Sequence, residues 1–107
     1  MGASQIGAMK RSGVLINVGR GQVIDEEALV KALQSGAIRG AALDVVQQEP
    51  LPASHPLYAL PNVLLSPHTA DHVEGFLIPA VECFVENFER FRKGEPLENV
   101  VDKHSGY

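Results

Sequence analysis

The stretch Val14-Leu15-Ile16-Asn17-Val18-Gly19-Arg20 is a short apolar run, rich in β-branched residues, that passes through a glycine to an arginine. Two more runs also lead to ionisable residues: Ala41-Ala42-Leu43-Asp44-Val45-Val46 before Glu49, and Val63-Leu64-Leu65-Ser66-Pro67 before His68. Ligands of open α/β sheets bind just beyond the carboxyl ends of the strands. If the three runs are neighbouring parallel strands, Arg20, Glu49 and His68 meet at one edge of one sheet.

Helical segments alternate with these runs, and this order predicts an α/β fold with a parallel sheet of three strands. Asp25 is placed to cap a helix that Gly36 would end. The run 14–18 is apolar apart from Asn17, which is typical of a parallel strand covered on both faces. The prolines of residues 49–56 predict a loop. Three strands are fewer than a typical sheet contains, so the chain is expected to be part of a larger sheet.

Two further helices are expected at the ends of the chain. Ser4 is placed to cap one or two helical turns near the start. A long amphipathic helix is predicted from Asp71, where Glu74 three residues later resembles a capping box. Pro79 either kinks this helix or marks its true start. Gly94 is expected to end it.

Composition limits the classes of function. The 107 residues contain nine Lys and Arg against thirteen Asp and Glu, and the net charge of −4 argues against a nucleic-acid-binding surface. A single cysteine, Cys83, excludes an internal disulfide and fits a reducing compartment, so a cytoplasmic location is expected. No apolar run approaches the roughly 20 residues of a membrane span. No spacing of His, Cys and acidic residues indicates a metal site, so neither a membrane partner nor a metal is expected.

Arg20, Glu49 and His68 together form an acid–base and anion-binding set. An arginine fork pairs with a carboxylate through two parallel hydrogen bonds, and a histidine transfers protons at neutral pH. A glutamate bonded to that histidine would orient its ring. Each residue alone is more often structural: a surface arginine, an exposed loop glutamate, a lone histidine. However, one such residue follows each of three successive predicted strands, and this arrangement favours a functional site over three unrelated structural residues.

Asp44 differs from these three because it interrupts an apolar strand near its carboxyl end. A buried carboxylate costs several kcal/mol unless it is paired or hydrogen-bonded. Asp44 is therefore expected to have a partner, either a donor from the protein or the amide of a ligand.

Five segments of the chain form a recognisable set: LINVGRG (15–21), VIDE (23–26), GAALDV (40–45), EPL (49–51) and LSPH (65–68). With these segments the chain resembles the D-isomer-specific 2-hydroxyacid dehydrogenases, and within them it looks most like the glyoxylate/hydroxypyruvate reductase branch. Their order and spacing also match the family, over nearly the whole chain. The resemblance implies a Rossmann-type parallel sheet, a long C-terminal helix, and an oxidoreductase that uses NAD or NADP.

The resemblance also implies roles for particular residues. Arg20 would bind the carboxylate of a small 2-keto or 2-hydroxy acid such as glyoxylate or hydroxypyruvate. His68 would donate and accept the proton, and Glu49 would bond His68 and keep it protonated. The residues implied to bind the nicotinamide side of the cofactor are Val18, Gly19, Arg20, Asp44 and His68.

The family's Gly-x-Gly-x-x-Gly phosphate-binding segment does not occur in this sequence. The chain is therefore expected to correspond to the C-terminal third of such an enzyme. Residues 1–70 would be the C-terminal half of the dinucleotide-binding domain, and residues 71–107 a helix and tail that return to the substrate domain. The full-length form is expected to be a homodimer. Two alternatives remain open: a non-catalytic protein-interaction module of the same fold, and an inactive truncated product.

Overall fold

The computed structural model describes residues 1–104, so the last three residues of the predicted segment 71–107 lie outside the described residues. The chain divides into two compact units, Met1–Asp71 and a second unit that begins at His72. Among the described residues, no helix is long and apolar enough to cross a membrane.

The first unit is built on a parallel sheet of three strands. The strands are β1 (Val14–Asn17), β2 (Gly40–Leu43) and β3 (Val63–Leu65), and they lie side by side in chain order. In the register, Ile16 pairs with Ala42, which in turn pairs with Leu64. The predicted α/β class and parallel sheet are therefore confirmed, and the three carboxyl ends lie at one edge.

Two helices of the first unit pack together, α1 (Ala3–Gly7) and α2 (Glu26–Gln34). The Asp25 side chain accepts a hydrogen bond from the Ala28 amide at 3.0 Å, which confirms the predicted cap. Gly36 follows the end of α2 with a φ of 65°, the left-handed conformation that glycine adopts most easily. Ser4 lies inside α1 rather than at its cap, because the helix begins one residue before it and its N-cap is Gly2.

The core of the first unit lies on one face of the sheet. Alternate residues of β1 are buried and exposed, so Leu15 is covered whereas Ile16 is 68% exposed. Leu64 is 70% exposed on the same face as Ile16. The prediction of a strand covered on both faces is therefore wrong for this structure, because no helix of the first unit covers the second face. The buried cluster comprises Ile6, Leu15, Ile24, Leu29, Val30, Leu33, Ile38, Ala41, Leu43 and Leu57.

The second unit contains one long helix, α3 (Leu77–Lys93), none of whose residues is buried. It begins six residues later than predicted, and its N-cap is Phe76 rather than Asp71. Pro79 explains the difference: it lies in the first turn, where its missing N–H and its ring disturb no helical hydrogen bond. Gly94 ends α3 in the left-handed conformation, as predicted. Asn87 then holds the following segment through two hydrogen bonds to the main chain of Glu98, at 2.8 and 3.2 Å.

Two short 3-10 helices, Gly21–Val23 and Pro56–Ala59, lie in the connections after β1 and β2. At Gly21 the main chain passes so close to the segment after β2 that an added Cβ would lie 1.9 Å from the carbonyl oxygen of Val46. Only glycine permits this approach, which brings the two connections together at the carboxyl edge of the sheet.

We expect Gly21→Ala to destabilise the first unit by about 2 kcal/mol, because backbone rather than a movable side chain occupies the space. Urea unfolding followed by circular dichroism measures the change. Gly19→Ala is the matched control, since its added Cβ would meet only the Asn17 side chain, at 3.7 Å. A loss of stability that is equal in the two variants would contradict the close-approach explanation.

Candidate functional site

The hydrogen-bonded alignment of the strands continues past their carboxyl ends. The Asp44 amide donates to the Asn17 carbonyl at 2.9 Å, which joins the end of β1 to the residue after β2. The His68 amide donates to the Asp44 carbonyl, also at 2.9 Å. The residues that follow the three strands therefore remain neighbours beyond the sheet.

Glu49 and His68 form a hydrogen-bonded pair at this edge. His68 Nδ1 lies 2.7 Å from Glu49 Oε2, and the Val46 amide donates to Glu49 Oε1 at 3.1 Å. The hydrogen bond from His68, followed by that from the Val46 amide, lowers the pKa of Glu49 below its ordinary 4.5. Because Nδ1 is engaged with Glu49, Nε2 is the ring nitrogen that can exchange a proton with a ligand. The His68 side chain is 47% exposed and the Glu49 side chain is 38% exposed, so a ligand can reach the pair.

Asp44 holds the turn that carries His68. Its Oδ1 accepts from Ser66 Oγ at 2.5 Å and from the Thr69 amide at 2.9 Å, and its Oδ2 accepts from the Ala70 amide at 2.9 Å. The Ser66 hydroxyl and then the Thr69 amide lower the pKa of this buried carboxyl. His68 lies between these contacts with a φ of 56°, which is uncommon outside glycine. The protein itself therefore supplies three hydrogen bonds to the Asp44 carboxylate.

The Asn17 side chain organises the loop that carries Arg20. Asn17 is buried; its Oδ1 accepts from the Gly19 amide at 3.1 Å and its Nδ2 donates to the Arg20 carbonyl at 2.9 Å. The Arg20 guanidinium is exposed and donates to the Gly19 carbonyl at 2.7 Å. Val18, directly before Gly19, is 63% exposed. Sequence reasoning missed the role of Asn17, and the one available signal was a polar residue at the end of an apolar run.

An open cleft of about 450 Å³ brings the three strand-end residues together. Arg20, Glu49 and His68 all line it, and the positive charge of Arg20 also contributes to the lowered pKa of Glu49. Glu49 and His68 also line an adjoining, mostly apolar cavity of about 370 Å³, whose wall includes Asp44. Among residues 1–104, no three His, Cys, Asp or Glu side chains are grouped to hold a metal ion.

This arrangement supplies a cation for an anionic ligand and a proton-transfer pair in the same cleft. Glu49 can hold the His68 ring in one orientation through Nδ1, which leaves Nε2 as the nitrogen for proton transfer. Arg20 reaches the cleft from the neighbouring connection. The roles of these residues, and of Val18, Gly19 and Asp44 toward a cofactor, stay predictions.

The sequence of the chain is similar to sequences of known proteins. The sequence profile of the family described as D-isomer specific 2-hydroxyacid dehydrogenase, NAD binding domain, matches residues 1–70. A glyoxylate/hydroxypyruvate reductase B from Serratia proteamaculans is 47% identical over 98 residues, covering 92% of this chain and 30% of the relative. A glyoxylate reductase from Korarchaeum cryptofilum is 43% identical, and the match covers 96% of this chain and 31% of that relative. The chain thus spans about a third of the length of these curated relatives.

Solved structures show the same likeness. A D-isomer specific 2-hydroxyacid dehydrogenase from Xanthobacter autotrophicus, in complex with NADPH and MES, is 45% identical with a TM-score of 0.88. The match covers 98% of this chain and 43% of that one. An NADPH-dependent glyoxylate/hydroxypyruvate reductase from Sinorhizobium meliloti, with NADP and sulfate, is 34% identical with a TM-score of 0.87, over all of this chain and 35% of that one. The fold, the strand-end motifs and these matches together show that the chain belongs to the D-isomer-specific 2-hydroxyacid dehydrogenase family.

Proposed function

We propose that this chain carries the acid–base edge of an oxidoreductase that transfers hydride between NAD or NADP and a small 2-keto or 2-hydroxy acid. Glyoxylate and hydroxypyruvate are the proposed substrates. The observation that carries the proposal is the single open cleft lined by Arg20, Glu49 and His68. The names of the relatives from Serratia proteamaculans and Korarchaeum cryptofilum support the choice of substrate.

Arg20 binds the substrate carboxylate in this proposal. Its guanidinium has five N–H donors, and the contact with the Gly19 carbonyl involves only one of its terminal nitrogens. A carboxylate in the cleft can therefore accept two parallel hydrogen bonds from the remaining donors. The side chain is exposed, so it reaches the ligand without leaving a buried charge unpaired.

His68 donates a proton from Nε2 to the carbonyl oxygen when the keto acid is reduced, and takes it back when the hydroxy acid is oxidised. Glu49 fixes the ring through Nδ1 and stabilises its protonated form by its negative charge. The hydrogen bond from His68 lowers the pKa of Glu49, so this contact favours the ionised carboxylate.

The residues near the strand ends fit the nicotinamide side of a dinucleotide. A carboxylate offers about four acceptor positions, and Asp44 uses three, so Oδ2 has room for one N–H of a ligand amide. The loop before Arg20 presents the exposed Val18 and the bare backbone of Gly19. When bound, the reduced cofactor supplies the hydride. The solved relatives from Xanthobacter autotrophicus and Sinorhizobium meliloti contain NADPH and NADP.

The proposal extends to the setting of the protein. A homodimer is the proposed assembly of the full-length form, and size-exclusion chromatography with light scattering would measure it. The free thiol of Cys83 favours a reducing, cytoplasmic location. The net charge of −4 supports the expectation that the protein binds no nucleic acid.

Replacing Arg20 with Gln is expected to weaken binding of oxamate, an unreactive analogue of a 2-keto acid, by on the order of tenfold or more, since it removes the charge-assisted hydrogen bonds. A nuclear magnetic resonance titration of the 107-residue chain measures the dissociation constant. Arg39→Gln is the matched control, because this exposed arginine directly precedes β2, at the opposite edge of the sheet. Equal affinity in the two variants would contradict the assignment, and no binding by the unaltered chain would favour the interaction-module alternative.

The stability of the first unit is expected to fall in acid because both site carboxyls have lowered pKa values. Their stabilising effect is fully present above the ordinary values of 3.8 and 4.5 and is lost as the pH falls through the lower folded-state values. Urea unfolding at intervals from about pH 5 to about pH 2 tests this. Asp44→Asn should flatten part of the slope, because it removes one of the two groups. A stability independent of pH over this range would contradict the prediction.

A further inference from the structure

The side chain of Glu26, outside the cleft, contacts both ends of the loop that carries Glu49. Glu26 Oε2 accepts from the Gln47 amide at 3.0 Å, and Oε1 lies 3.4 Å from His55 Nε2. The Glu26 and His55 side chains are only 14% and 22% exposed, although both are polar. One carboxylate therefore joins the start of α2 to residues 47 and 55. We use the name 47–55 loop for the segment between them.

The hydrogen bonds of His55 determine which of its ring nitrogens carries the proton. Its Nδ1 accepts from the Leu57 amide at 3.3 Å, at the beginning of the second 3-10 helix. Nδ1 is therefore unprotonated, and Nε2 carries the proton that faces Glu26. A neutral His55 satisfies both contacts, so the pair holds the 47–55 loop without requiring a charge on the ring.

Gln47 is fixed at two further points. Its side-chain Nε2 donates to the Ile24 carbonyl at 2.7 Å, and its main-chain carbonyl accepts from Gln22 Nε2 at 3.4 Å. Gln47 also directly follows Val46, whose amide donates to Glu49. A displacement of Gln47 would therefore move both the backbone before Glu49 and one of the donors to its carboxylate.

We propose that Glu26 is a positioning residue for the Glu49–His68 pair: by holding Gln47 and His55, it keeps the Glu49 carboxylate within hydrogen-bond reach of His68 Nδ1. Its importance for catalysis rests on the proposed function, but the contact geometry does not. Glu26 also lies in the first turn of α2, where any acidic residue favours the helix dipole. A test must therefore separate the loop contacts from the helix charge.

The chain supplies a matched control for that separation. Glu27 is the next residue in the same helical turn, is 80% exposed, and pairs with Lys31 at 2.6 Å. Glu26→Gln and Glu27→Gln each remove one negative charge from the first turn. Only Glu26→Gln replaces an acceptor oxygen that contacts the 47–55 loop with an amide NH2, which has no lone pair for the Gln47 amide or the His55 Nε2–H.

The experiment follows the side-chain carboxyl carbon of Glu49 by nuclear magnetic resonance as the pH is varied in the full chain. In Glu26→Gln, we expect the pKa of Glu49 to rise toward its ordinary 4.5, because the hydrogen bond from His68 weakens. Hydrogen exchange at the Gln47 amide should accelerate by on the order of tenfold. Glu27→Gln should leave both readouts as in the unaltered chain.

His55→Ala is the second variant: it keeps the contact between Glu26 and Gln47, and it removes the contact between Glu26 and His55 together with the hydrogen bond from the Leu57 amide. It should raise the pKa of Glu49 in the same direction, and it serves if Glu26→Gln does not fold. Identical Glu49 titrations in folded Glu26→Gln and Glu27→Gln would overturn the positioning role. These readouts need no substrate, so failure of the proposed enzymatic function and failure of the positioning role are distinguishable.

Discussion

The carboxylate of Asp44 ties the end of β2 to the turn after β3, and the geometry of the site depends on this tie. Two main-chain amides and the Ser66 hydroxyl all point at one buried acidic group. A buried carboxylate is costly without such donors, so the turn is strongly favoured to close around it. This turn holds His68 in a left-handed backbone conformation, which histidine rarely adopts.

A second constraint brings the neighbouring connections within reach of His68. The bare backbone of Gly21 lies against Val46, so the connection after β1, with Arg20, meets the connection after β2, with Glu49. Asn17 fixes the first of these connections, and Glu26 fixes the second. The polar side chains that shape the cleft thus lie mainly behind the residues that face it, and they act through main-chain amides and carbonyls.

The sequence predicted those features that depend on neighbours in the chain. The cap at Asp25 and the stops at Gly36 and Gly94 follow from local hydrogen bonding and from glycine's freedom, and the structure has them. The expected start of α3 at Asp71 was wrong, whereas the alternative that Pro79 marks the true start of this helix agrees with the structure. In fact Pro79 is tolerated only within the first turn, so the helix begins at Leu77.

The sequence by itself determined the family, the parallel order of three strands, and the three ionisable residues placed beyond them. The tertiary structure decided the contacts between distant residues, Glu49 with His68 and Asp44 with the turn after β3, because the pairing of separate strands brings them close. Because Asp44 is a charged residue in an apolar run, the sequence indicated that its carboxylate needs a hydrogen-bond partner. Glu26, by contrast, looked like an ordinary acidic residue at the start of a helix. Its two contacts lie 21 and 29 positions further along the chain, a separation that only the closed fold removes.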